Sequence, residues 1–161
     1  WPSDLTTPDG DAMIIRETTH RFSPLSFHRA MVGRRLPMLL TAAGRAYFAM
    51  CPDAEREDIL DVLRTGAGGE QQRKLAHDDA YIRNLVRQTR AEGFGSNQGD
   101  WADQRKIGAV AVAIPFGGRV LASLNVIYLR QAITSTEATR RFVPELQRAA
   151  QEMVDALAAE P

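Results

Sequence analysis

A polar amide inside an apolar strand is the first group in this sequence that demands a partner. Asn125 stands in the run Val120-Leu121-Ala122-Ser123-Leu124-Asn125-Val126, and burying an amide without hydrogen bonds costs about 1–3 kcal/mol. It must therefore meet a backbone group, a water or a ligand. The preceding run, Ile107 to Ile114, carries Ala109, Ala111 and Ala113 on one face and Val110, Val112 and Ile114 on the other, by the alternation of a strand. A row of alanines leaves space. Because interiors keep few voids, that space holds either a close-packed helix or a small ligand. A third feature is Leu40-Thr41-Ala42-Ala43-Gly44, a helix start built of small residues. Its first N–H groups are uncovered and its dipole favours an anion such as a carboxylate, although the same residues also suit a simple Thr41 cap with tight helix packing.

The other reactive side chains form no constellation. His20, His28 and His77 show no metal-ligand spacing, and Gly66-Ala67-Gly68-Gly69 follows a helix rather than a strand, the wrong context for cradling phosphate. Cys51 precedes Pro52 at a helix junction, where a buried, inert thiol is expected because no neighbour would lower its pKa. Neither a metal nor a cofactor is expected. The chain reads as a non-enzyme, with one alternative left open: a small hydrolase using Cys51, or Ser26 paired with His28, which would need a nucleophile and base in contact and a third orienting group. A nucleotide- or redox-sensing domain would want basic residues around the cavity, and the expected walls are apolar. A pure dimerisation module would have its alanine face filled.

These residues need elements to hold them. Asp11 to His20 predicts the first strand and Phe27 to Gly33 a second, unless Ser23-Pro24 opens a helical turn. Thr41 caps a helix that Cys51-Pro52 ends, and a second helix with Pro52 at its first position extends to Arg64, with Ile59, Leu60 and Leu63 inward. Asp79 to Glu92 is helical by its Ile82, Leu85, Val86, Thr89 spacing, and Gly93 ends it. Ile107–Ile114 and Arg119–Leu129 form a hairpin around Pro115-Phe116-Gly117-Gly118. A three-residue turn would set Ala111 beside Asn125 over an alanine-floored cavity; a two-residue turn would separate them, and the former is expected. Val120, Ala122, Leu124 and Val126 should share one face, and Leu121, Ser123, Asn125 and Ile127 the other. Thr134 and Glu137 form a capping box for a last helix with the stripe Phe142, Leu146, Ala149, Met153 and Leu157, which Pro144 should kink or start late. Strands, helices, hairpin and helix in that order make an α+β domain with an antiparallel sheet.

Composition bounds what such a domain can do. The 161 residues suffice for one core. Lys and Arg total 20 against 20 Asp and Glu, so the positive field that duplex DNA binding uses is missing, and the chain alone should bind nucleic acid poorly. With one cysteine, no long apolar span and no leader-like start, a soluble cytoplasmic protein is expected. The abrupt start at Trp1 suggests a fragment or processed product.

Several strings carry a resemblance. Met13-Ile14-Ile15-Arg16-Glu17-Thr18-Thr19-His20, Ser23-Pro24-Leu25-Ser26, Val32-Gly33-Arg34-Arg35-Leu36-Pro37, Thr41-Ala42-Ala43-Gly44-Arg45-Ala46 and the hairpin strands, in that order, resemble the effector-binding domain of IclR-type bacterial transcriptional regulators over nearly the whole chain. The Arg16-Glu17-Thr18-Thr19 segment looks most like the branch controlling breakdown of aromatic acids such as hydroxyphenylpropionates. The resemblance implies a GAF-like, profilin-like sheet of about six antiparallel strands flanked by helices. It implies that residues 1–161 are a single effector-binding domain lacking its N-terminal winged helix-turn-helix, that the protein forms dimers or tetramers, and that it reaches DNA only through the absent part and no membrane at all. Carried onto matching positions, it implies effector contacts at Leu25, His28, Ala42, Ala43, Asp100 or Trp101, Ala111, Asn125 and Ile127. Where a related site has small hydroxyl residues on the last strand, this chain has Asn125 and Ile127, which argues against a two- or three-carbon acid. The carboxylate would meet Ala42 and Ala43, the ligand body Ala111, Ile127 and Trp101, and Asn125 or His28 would read a ring substituent.

Overall fold

Two hairpins build most of the sheet, each closing through glycine in the left-handed region. The computed structural model describes residues 1–26 and 30–159. Strands β1 (Ser3–Asp9) and β2 (Ala12–Thr18) are joined at Gly10, whose φ is 64°. Then come β3 (Arg35–Pro37) and four helices, α1 (Ala42–Met50), α2 (Asp53–Arg64), α3 (Glu70–Ala76) and α4 (Asp79–Glu92). A short β4 (Gly95–Asn97) precedes the second hairpin, β5 (Ile107–Phe116) and β6 (Arg119–Leu129), and α5 (Ser135–Ala159) completes the chain. All pairs are antiparallel, in the order β3-β2-β1-β6-β5-β4. Helices flank this six-stranded sheet on both faces, as expected of an α+β, GAF-like domain.

One face packs against α1 to α4 through Met13, Ile15, Leu39, Phe48, Leu60 and Leu63; the other packs Val110, Val112 and Tyr128 against Phe142, Val143 and Leu146 of α5. Helix α1 is fixed at both ends. Thr41 Oγ1 accepts from the Gly44 N–H at 3.2 Å and donates to Pro37 O at 2.9 Å. At the other end the buried Arg56 guanidinium donates to the carbonyls of Phe48, Ala49 and Cys51, and Arg90 Nε donates to Ala49 O. Cations there satisfy the carbonyls that a helix end leaves free and complement its dipole.

Several expectations need correction. The hairpin turn has two residues, since Phe116 pairs with Arg119, yet Ala111 does sit opposite Asn125. A bulge resolves this: the register shifts between Ile114 and Pro115, so the extra residue lies in the strand rather than in the turn. The same bulge sends Val120 to the α1–α4 core while Ala122 faces α5, so these two do not share a face. No strand occupies Ala30–Gly33; Gly33, at φ 84°, turns the chain into β3 instead, and Phe27 to Arg29 lie outside the described residues. Pro52 sits one residue before α2 begins. Helix α5 starts at Ser135 and keeps Pro144 inside it, and its capping box is half formed: Thr134 Oγ1 accepts from Glu137 N, while the Glu137 carboxylate turns to Arg140. Its far stripe is not buried: Met153 and Leu157, both more than a third exposed, border an open groove with Leu5, Ile114 and Leu121. Strands β1 and β4 and helix α3 had no counterpart in the sequence pattern.

Candidate ligand-binding site

Strand pairing sets one row of residues across the sheet beneath α1: Thr18, Asp4, Asn125, Ala111 and Gly95, from β2 through β1, β6 and β5 to β4. The side chains shrink along the row from polar to none. At the small end α1 comes down on the strands. A Cβ on Gly95 would stand 2.5 Å from Ala42 O and 2.6 Å from Ala46 N, and Ala42, Ala43, Ala46, Ala109 and Ala111 form one buried cluster. The alanine face is thus filled by a helix over much of its length.

At the polar end the helix cannot descend, and a recess of about 400 Å³, mouth included, remains. Its walls are Asp4, Leu36, Thr41, Ala42, Asn97, Trp101, Gln104, Ile107, Ala109, Asn125 and Ile127. Four of the expected residues therefore meet here: Ala42, Trp101, Asn125 and Ile127. Ala43 and Ala111, both fully buried, pack between α1 and the sheet without lining the recess. Leu25 borders an adjoining cleft with Trp1, His20 and Ser26, which shares Ile107 and Ile127 with the recess. Asp100 is turned away, paired with Arg45 at 2.9 Å. His28 lies outside the described residues.

The recess is short of hydrogen-bond partners in a defined pattern. Asn125 Oδ1 accepts from the Asp4 N–H at 2.8 Å, which answers half of its amide; its Nδ2 has no acceptor among the described residues. Neither the Ala42 nor the Ala43 N–H has an acceptor there, since Thr41 spends its cap on Gly44. On the acceptor side, Asp4 Oδ1 accepts a hydrogen bond from Thr18 Oγ1 at 2.7 Å, while Asp4 Oδ2 has no partner among the described residues. Asn97 Nδ2 donates to Leu40 O, and its Oδ1 is likewise unpartnered among those residues. Asp4 and Asn97 were missed by sequence reasoning. A carboxylate next to Leu5 in a segment with Pro8 gives no apolar alternation, and only the pairing of β1 with β6 brings it beside Asn125.

Groups that could act as nucleophiles are less well placed. Cys51 is fully buried, its Sγ directed at Phe48 O, and burial pushes its thiol up to about 11, so it is protonated at neutral pH. Ser26 Oγ meets His20 Nδ1 at 2.5 Å, and the expected pairing of Ser26 with His28 lies outside the described residues. His20 Nε2 is 3.7 Å from Asp4 Oδ1, beyond the reach of the hydrogen bond that orients the imidazole in a working triad. No helix among the described residues is long and apolar enough to cross a membrane, and none of those residues form a metal-ligating group of three.

Known proteins agree with this architecture. Residues 3–155 match the family described as Bacterial transcriptional regulator IclR C-terminal. The chain is 28 % identical over 155 residues to the Pca regulon regulatory protein of Pseudomonas putida, covering 94 % of this chain and 50 % of that protein. It spans about half the length of the curated relatives it matches. Among solved structures, an IclR family transcriptional regulator from Brucella abortus superposes with a TM-score of 0.76 at 19 % identity, covering 96 % of this chain and 56 % of that one. A double mutant of the PobR inducer-binding domain from Acinetobacter, complexed with 3-hydroxybenzoic acid, gives 0.74 at 15 % identity, covering 94 % and 86 %. At those identities the likeness is one of fold. The family match over nearly all of its length identifies the chain as a member of the IclR family of bacterial transcriptional regulators, as an effector-binding C-terminal domain.

Proposed function

We propose that the effector of this domain is a small aromatic carboxylic acid held in the recess beside the start of α1. The observation that carries the reading is the meeting, in one recess, of the helix-start N–H of Ala42, which has no acceptor among the described residues, with the apolar surfaces of Trp101, Ile107 and Ile127 and a few polar groups, the composition small-molecule sites favour. The ligand carboxylate accepts from the Ala42 N–H, the ring lies against Trp101 and Ile127, and Asn125 Nδ2 donates to the carboxylate from the sheet. Ala111 acts from beneath by admitting α1. Leu25 stands on the side of the adjoining cleft. The 3-hydroxybenzoic acid of the PobR complex and the Pca regulon relative support an aromatic ligand.

Residues 1–161 are then one domain of a longer regulator whose DNA-binding part, a winged helix-turn-helix, precedes it, in a protein that forms dimers or tetramers. Effector binding shifts the balance between two arrangements of those parts, which takes a few kcal/mol of differential affinity. Titration calorimetry with benzoate, 3-hydroxybenzoate and 3-phenylpropionate tests the reading. One saturable site per chain, weakened in Asn125→Leu while the variant still unfolds cooperatively, is expected. If none of the acids binds, or if Asn125→Leu binds them as wild type does, the site is misassigned.

A further inference from the structure

The recess is charged in the wrong sense for an acid. Among the described residues its lining includes no Lys or Arg, and the one ionisable wall residue among them is Asp4, 1 % exposed. A bound carboxylate therefore faces a like charge, whereas a helix N-terminus attracts an anion by only about 0.3–1 kcal/mol, rising to about 2 when partly buried. Something in the ligand must answer Asp4. Its Oδ1 is held by Thr18, but Oδ2 is buried with no hydrogen-bond donor among the described residues, and an acceptor left in that state is costly, the more so when charged.

Resting on the carboxylate reading above, we infer that Asp4 is a specificity-determining residue of the recess, selecting acids that also carry a hydroxyl to donate to Oδ2. Asn97 Oδ1, unpartnered among the described residues on β4, three strands from β1, offers a separate acceptor to a second donor on the ligand. The site is thus two-ended: donors from α1 and Asn125 take the carboxylate, and the Asp4 acceptor takes the hydroxyl. A hydroxyl is favoured over an ammonium because Oδ2 lacks one hydrogen bond in a buried place, and a neutral donor supplies it without burying a further charge.

The experiment compares benzoate, 3-hydroxybenzoate, 4-hydroxybenzoate and 4-(aminomethyl)benzoate on this chain by calorimetry. One hydroxybenzoate should bind at least about tenfold tighter than benzoate, the worth of a hydrogen bond to a charged acceptor. In Asp4→Ala the two should come within about twofold of each other, with benzoate still bound. Asp4→Asn keeps an Oδ1 for Thr18 and serves if the alanine variant does not fold; there the preference should fall several-fold. Benzoate and both hydroxybenzoates binding wild type equally would overturn the role of Asp4 and leave the carboxylate site standing. Tighter binding of the aminomethyl acid than of either hydroxy acid would overturn the choice of hydroxyl. An equal gain for all the acids in Asp4→Asn would reduce Asp4 to a bare repelling charge and also refute the inference. If no acid binds at all, both readings fall together.

Discussion

Adding one methyl group at Gly95 sets two effects of opposite sign against each other. Glycine in a strand costs about 0.5–1 kcal/mol relative to alanine through its extra freedom when unfolded, so propensity alone makes Gly95→Ala stabilising. The new Cβ, however, would stand 2.5 Å from Ala42 O and 2.6 Å from Ala46 N. Both are backbone atoms of a helix fastened at each end by Thr41 and by Arg56 and Arg90, so neither can swing aside as a flexible side chain would. Overpacking of this kind costs about 1–3 kcal/mol, and two rigid contacts put it at the upper end. The net loss is about 2 kcal/mol, which for a domain of this size lowers Tm by roughly 4–8 °C. Thermal unfolding followed by far-UV circular dichroism, with a urea titration to check that the m-value is unchanged, measures it. A variant melting at or above the wild type would mean that α1 does not press on β4, and the account of how the recess is bounded would fail with it.

Three other outcomes follow from the same contacts. Arg56→Met removes the donors to Phe48, Ala49 and Cys51 carbonyls and should cost about 3 kcal/mol or more in urea unfolding; a loss below about 1 kcal/mol would show the α1 terminus to be satisfied otherwise. Asn125→Leu leaves the Asp4 N–H without its acceptor and should destabilise the domain by about 1–3 kcal/mol even without ligand, readable in the same titration. For Cys51 the folded-state pKa is raised by burial from near 9 to about 11, so the folded state holds its proton more tightly than the unfolded one. Its contribution is whole below pH 9 and is lost as pH rises towards 11. The urea midpoint should fall more steeply across that window in wild type than in Cys51→Ala, and Ellman's reagent should not label the native protein at pH 8.

Sequence legibility followed the strength of local signals. Helix α4, with its apolar spacing and a left-handed Gly93 at φ 77°, and the β5–β6 hairpin were readable because their determinants lie within a few residues. Strand β1 was not, since its inward positions are Asp4 and Thr6 and only long-range pairing makes them inward. The adjacency of Ala111 and Asn125 was anticipated on the wrong ground: the turn is short, and the bulge beside Ile114 restores the register. At the candidate site, Asn125 and the Thr41 helix start announced themselves by chemistry out of place. Asp4 did not, because an acidic residue near a chain start is ordinary until its neighbours are known.

The graded row under α1 divides the wall of the recess into a part that can change and a part that cannot. Gly95 and Ala111 are locked by the helix resting on them, and any larger residue there moves the roof. Positions 4 and 125 line the open recess and answer to each other, to Thr18 and His20 beside Asp4, and to whatever is bound. Related chains that respond to chemically different effectors should therefore vary at these two strand positions while leaving the small residues alone, so that ligand choice can drift without a new fold being required.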